Sequence, residues 1–102
     1  MAEIDTKREI RRAVDTGKVV FGFRQSEKSV LSGKSALVVV SVDSPQTAKE
    51  KIRNLGKTCK VPVFEFDGTG LSLGAVCGKP FVISTMTVED TGKSRVLDII
   101  AK

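Results

Sequence analysis

Two short stretches carry residue types that could do chemistry. "LSLGAVCGKPF", residues 71 to 81, stops an apolar run at Gly78 and then sets a cation, a rigid proline and an aromatic ring in a row, Lys79, Pro80 and Phe81. "FGFRQSEKS", residues 21 to 29, places Gly22 two residues before Arg24 and continues through Gln25, Ser26 and Lys28. Gly-Lys suggests phosphate, so a nucleotide loop is the first chemistry to test. Such a loop needs a glycine, four residues, Gly-Lys and then Ser or Thr, so that backbone N–H groups and the lysine surround the phosphates. Gly-Lys occurs at residues 17, 33, 56, 78 and 92, and the copies at 33, 56 and 92 do continue with Ser or Thr. Their required earlier glycine is replaced by Lys28, Lys51 and Thr87. At Gly78 the preceding glycine, Gly74, stands one residue too close, and Pro80 occupies the place of the metal-binding hydroxyl. The spacing excludes an ATP or GTP loop.

Other enzymatic chemistry finds little to work with. The chain contains no histidine, which removes the commonest general base at neutral pH and the usual partner of a serine or cysteine nucleophile. Cys59 and Cys77 supply too few ligands for a structural zinc site and read as reduced core residues. No catalytic residue, metal or cofactor is expected. The acidic segment "EFDGTG", 65 to 70, is explained by a strand end, a turn and a helix cap, and the lysine-rich "KEKIRNLGK" by a solvated helix face. A net charge of +5 favours an anionic partner. In "FGFRQSEKS", a helix start offers unpaired N–H groups, glycine allows close backbone approach, and the planar Arg24 fork suits phosphate or the edge of guanine. A turn and a cap would explain the same residues. In Lys79-Pro80-Phe81, a helix stop and a buried strand residue compete with an exposed ring beside a cation, the pairing that unstacked RNA bases require.

The elements that must position these residues follow from pattern. Gly-Lys reads mainly as punctuation, because glycine after a helix adopts the left-handed conformation and a nearby cation suits the helix C-terminus. Strands are expected at "VVFGF", "ALVVVSV", "VPVFEF" and "FVISTMTV". Between them, Thr6 and Glu9 have capping-box spacing ahead of a face of Ile10, Ala13 and Val14. Ser44-Pro45 reads as a cap followed by the first helical residue, and Ala48, Ile52, Leu55 and Cys59 recur at helical spacing through Gly56. A short helix is expected at 26 to 32, another capped by Thr69, and a turn followed by a helix or extended segment in "TGKSRVLDII". Strands alternating with helices imply an α/β fold, a sheet between helical layers, in a single domain over residues 1–102. The longest apolar run, "ALVVV", is far too short to span a membrane, and the charged N-terminus lacks a secretory pattern, so a cytoplasmic address is expected.

Taken in order, "DTGKVVFGFRQSEKSVLSGKSALVVVSVDSP", "VPVFEF" and "LGAVCGKPF" resemble the L-thirty-e family of archaeal and eukaryotic large-subunit ribosomal proteins, within the wider superfamily of kink-turn RNA binders. The resemblance implies a three-layer α/β/α sandwich around a four-stranded mixed sheet whose last strand is antiparallel to the others. The loops around Gly22 to Ser26 and Asp43 to Pro45 would then share an edge with Gly78 to Phe81. It further implies that Gly22 and Arg24 contact the internal loop of a kink-turn, with Gln25, Ser26 and Asp43 beside them. Phe81, after Pro80, would stack on a base or pack the bent backbone, and Lys28, Lys34 and Lys79 would meet phosphates. Arg24-Gln25 stands where relatives in small ribonucleoproteins usually carry Asn-Glu. The sequence departs from the family pattern at Ser72, a frequent glutamate, and at Asp43, a frequent asparagine.

The expectation is a non-enzymatic constituent of the large ribosomal subunit, bound to kink-turn ribosomal RNA and neighbouring ribosomal proteins, and monomeric when free. Two alternatives stay open. One is a free-standing kink-turn binder of a small ribonucleoprotein, and the other an α/β ligand or interaction module that shares only the fold.

Overall fold

The computed structural model describes residues 6–97. Helices and strands alternate: α1 (Thr6–Thr16), β1 (Lys18–Phe21), α2 (Phe23–Leu31), β2 (Leu37–Ser41), α3 (Gln46–Cys59), β3 (Val63–Phe66), α4 (Gly70–Val76) and β4 (Thr85–Asp90). The strands form one sheet in the order β1-β4-β2-β3. β2 and β3 are parallel, while β4 runs antiparallel to both of its neighbours. The reversed last strand is therefore present, and it sits inside the sheet rather than at its edge.

Strand alternation divides the interior into two cores. Leu37 and Val39 of β2 join Ile10, Ala13, Leu73, Met86 and Val88 beneath α1 and α4. Val38 and Val40 point the other way, to Val30, Ile52 and Val61 beneath α2 and α3. The result is a three-layer α/β/α sandwich. β2 is buried on both faces, which is why "ALVVV" reads as an unbroken apolar run rather than an alternating one. Cys77 lies in the first core, and Cys59 packs against the second, both as free thiols.

The Gly-Lys copies are not one device. Gly33 and Gly78, at φ 76° and 71°, end α2 and α4 in paired reverse hydrogen bonds. The Gly78 N–H donates to Ala75 O (3.0 Å) and the Lys79 N–H to Gly74 O (2.9 Å). Gly17 and Gly56 serve close approach instead. A Cβ on Gly17 would run into the Asp90 carbonyl oxygen, and one on Gly56, inside α3, would lie 2.7 Å from Val61 O and from Val63 Cγ2. α3 instead ends at Lys60, which adopts the left-handed conformation itself (φ 59°, ψ 40°).

Several starts differ from the sequence expectation. α2 begins at Phe23 rather than Ser26, because Gly22 already breaks the strand at φ 101°, ψ 150°. β4 begins at Thr85 rather than Phe81, so Phe81 to Ser84 form a loop. Pro45 is the residue preceding α3 rather than its first member, and Ser44 donates to Ser84 O (3.0 Å) instead of capping the helix. Glu9 accepts the Arg95 N–H (2.7 Å), tying the C-terminal segment to α1 rather than closing a capping box. The expected turn after β4 is present at 91–94, a 3₁₀ turn opens at Val96, and residues 98–100 of that segment lie outside the described residues.

Candidate nucleic-acid interface

Because β4 opposes the other strands, the ends of β1, β2 and β3 and the start of β4 lie along one edge of the sheet. Their loops are tied to one another. The Gly22 N–H donates to Thr85 O (2.9 Å), Ser41 N–H to Ser84 O (2.8 Å), Ile83 N–H to Gly70 O (2.9 Å) and Val42 N–H to Gly68 O (3.1 Å). Asp43 Oδ1 accepts both the Ser41 hydroxyl (2.7 Å) and the Gly70 N–H (2.9 Å), joining the loop after β2 to the start of α4. The Ser41 hydroxyl, helped by the Gly70 N–H and Lys49, holds the Asp43 carboxyl below its ordinary range. Lys49, itself buried, donates to Val42 O (2.8 Å) and to Glu65 (2.8 Å) and so supports this loop from below. Such a network presents side chains from a fixed platform.

Phe21, Gly22 and Phe23 from the end of β1 and Phe81 to Thr85 before β4 line a cleft of about 370 Å³. Gly22 occupies a backbone region that is nearly closed to other residues, yet apart from its two chain neighbours nothing lies within 4 Å of where its Cβ would be. Its missing side chain leaves open space at the rim. Phe81 is 49% exposed and meets Phe21 edge-on, with centroids 6.4 Å apart and planes at 84°. Lys79 Nζ lies 5.5 Å from the Phe21 ring centre, a cation–π contact that holds the charge against the cleft wall. Val82, 59% exposed, continues the apolar rim.

The sequence-expected residues separate by placement. Arg24, Gln25 and Lys28 are exposed on α2, and Arg24 and Gln25 stand in a first turn that carries no acidic residue. N–H groups of such a turn have no partner within the helix and attract anions. Pro80 and Phe81 are exposed, and Lys79 is half-buried. Ser26 is fully buried, its N–H donating to Gly22 O (3.0 Å), so its side chain does not reach the edge. Asp43 serves the loop network just described. Lys34 follows the far end of α2 and lies toward the opposite edge.

Sequence reasoning missed Phe21, Phe23, Val82 and Arg11. The alternating "FGF" could have flagged the two rings, because a glycine between them breaks the strand and lets both flank one cleft. Arg11 has no local signal. A Cβ on Gly78 would come within 2.6 Å of Arg11 Nη1, so this guanidinium packs on the turn before Lys79 while its Nε pairs with Asp15 (3.0 Å). Ser72 follows Thr69 by three residues and donates its N–H to the Thr69 hydroxyl (3.1 Å), the cap expected there. A glutamate at 72 could reach back to the cap's own N–H, whereas serine is too short.

Fold and edge together define a small α/β/α sandwich with a basic, aromatic-lined loop edge. The chain matches the model of the "Ribosomal protein L7Ae/L30e/S12e/Gadd45 family" over residues 5–98, and it belongs to that family. It is 39% identical to the protein called "Large ribosomal subunit protein eL30" of Methanothermobacter thermautotrophicus, covering 95% of this chain and 99% of that one. Proteins of the same name from Pyrobaculum calidifontis and Methanocaldococcus jannaschii are each 38% identical, over 95% and 97% of this chain and 96% and 90% of theirs. These relatives are ribosomal proteins, a class without catalytic activity, and the chain is accordingly non-enzymatic. A solved structure of a protein of unknown function from Bacillus halodurans C superimposes with a TM-score of 0.83 at 25% identity, covering 98% of this chain and all of that one. Among the described residues, no helix is long and apolar enough to cross a membrane.

Proposed function

We propose that this protein is a structural constituent of the large ribosomal subunit, in the cytoplasm, and that its loop edge binds a kink-turn of ribosomal RNA. Its further partners are neighbouring proteins of that subunit, and it is monomeric when free. The observation that carries this reading is the cleft shared by Gly22 and Phe81. An open glycine, an uncapped helix start and a half-exposed ring meet there, and Arg24 stands in the first turn of that helix, with Lys28 further along it in the last turn. The bare Gly22 backbone admits the sharply bent RNA strand. The first-turn N–H groups of α2 and the Arg24 fork meet phosphate or a guanine edge, and Phe81 receives an unstacked base. Gln25 adds donors on the same turn, and Pro80 fixes the approach to Phe81. Lys28 and Lys79 reduce the repulsion between closely spaced phosphates. Asp43 acts by bracing the loops rather than by touching RNA.

The relatives' names support the ribosomal assignment, and the family match supports RNA as the ligand. A gel shift with a kink-turn RNA and a straight duplex of the same length tests it. The kink-turn should bind roughly a hundredfold more tightly, because shape and unstacked bases carry the recognition. Equal affinity for the two RNAs would sink the proposal.

A further inference from the structure

We infer that the protein carries a second RNA contact at the opposite edge of the sheet, a cleft that takes the phosphate backbone of a second RNA helix. The inference rests on the reading of the chain as an RNA binder. The cleft, of about 550 Å³, is lined by Arg53, Gly56, Lys57, Lys60, Val61, Pro62 and Val63. Every charged residue that lines it is basic. Arg53 is shared with Glu65 (3.1 Å), but neither Lys57 nor Lys60 takes part in an ion pair among the described residues. It lies where α3 ends and β3 begins, whereas α3 starts beside the loop edge, so the two clefts are separated by the helix length, roughly 20 Å.

Lys60 supplies the second observation. α2, α3 and α4 all end with the same reverse hydrogen bonds, here Val61 N–H to Gly56 O (2.7 Å) and Lys60 N–H to Lys57 O (3.4 Å). The other two place glycine at the left-handed position, Gly33 and Gly78, whereas α3 uses a lysine. Lys60 is the one non-glycine residue with positive φ among those described. Left-handed backbone disfavours a lysine, so this position keeps a side chain where glycine would stabilise the turn. Lys60 is exposed on that turn, next to the exposed Lys57 in the last turn of the helix. Two unpaired lysines over an open floor of Val61, Pro62 and Val63 contact phosphates without reading bases, as a regular RNA helix requires.

The test uses the full chain saturated with kink-turn RNA and adds a labelled RNA duplex of about 16 base pairs, followed by fluorescence anisotropy. The duplex should bind the complex without displacing the kink-turn. The double variant Lys57→Ala, Lys60→Gly should weaken duplex binding roughly tenfold and lower its salt slope by about two, leaving kink-turn affinity within about twofold. Lys60→Gly alone should raise the melting temperature, so lost binding is not lost folding. Unchanged duplex affinity in the double variant, displacement of the kink-turn, or equal competition by poly-glutamate would overturn the proposal. If the chain binds no kink-turn, the same duplex titration on the free chain still decides this site, separately from the first.

Discussion

At the loop edge of the sheet, Gly22 leaves empty space, Phe81 and Val82 are exposed, and α2 starts without a side-chain cap. At the opposite edge, Gly17 and Gly56 are crowded by backbone, and α2 and α3 both end in completed reverse hydrogen bonds. The contrast separates two uses of one residue. Glycine at the crowded edge lets the chain meet itself, whereas Gly22 keeps the chain away from a space that it does not fill. An exposed ring, an uncapped helix start and restricted backbone each cost stability, and the loop edge concentrates all three at one cleft. Partner binding explains that concentration better than folding does.

The largest expected effect lies at the ring. Phe81→Ala should weaken kink-turn binding roughly ten- to hundredfold, since stacking on an aromatic contributes about 1–3 kcal/mol per base. Its melting temperature should change little, because half the ring is exposed. Lys57→Ala, at the other edge, should leave that affinity unchanged. Next comes Gly22→Ala, which meets no atom but must hold a strained backbone. It should cost about 1–3 kcal/mol of stability by denaturant titration and weaken RNA binding as well. Arg24→Ala should reduce affinity roughly tenfold and lower the salt slope by about one, measured across a potassium chloride series.

The remaining effects are smaller. Helix propensity alone would make Gly56→Ala stabilising by about 1 kcal/mol. Contact with Val61 O and Val63 should reverse the sign, so the melting temperature should fall, and a rise would remove the crowding argument. The smallest effect concerns pH. Asp43, Glu65 and Glu89 are held below their ordinary values, first by the Ser41 hydroxyl, Lys49 and the Ser29 hydroxyl respectively. Their stabilisation is present above the usual carboxylate range and is lost as pH falls through it, from about pH 5 toward pH 3. Asp43→Asn should flatten the fall in melting temperature over that interval, and an unchanged profile would deny the loop brace a role.

Much of the fold was legible because apolar periodicity survives in tertiary structure. Ile10 and Ala13 are fully buried as their helical face implied, and β2 is the apolar run at 37–40. Boundaries were less legible because they depend on backbone conformation and distant partners. Gly22 could end a strand or start a helix, and only its φ and its bond to Thr85 decide that it does both. Ser44 and Glu9 look like caps, but hydrogen bonds to residues 84 and 95 claim their side chains. Of the candidate site, the two motifs were visible, since glycine, arginine and an aromatic have recognisable local uses. Arg11 packing on Gly78, and the burial of Ser26, follow from helix placement and leave no local trace.

The central claim is that the kink-turn is received at the loop edge. Backbone amide NMR of the labelled chain, titrated with one equivalent of kink-turn RNA, tests it most directly. The account predicts large shifts at Gly22 to Gln25 and at Lys79, Phe81 and Val82, with Gly56 to Val61 unmoved. Shifts centred on α1 or on the β3 strand, with Gly22 and Phe81 unchanged, would contradict it.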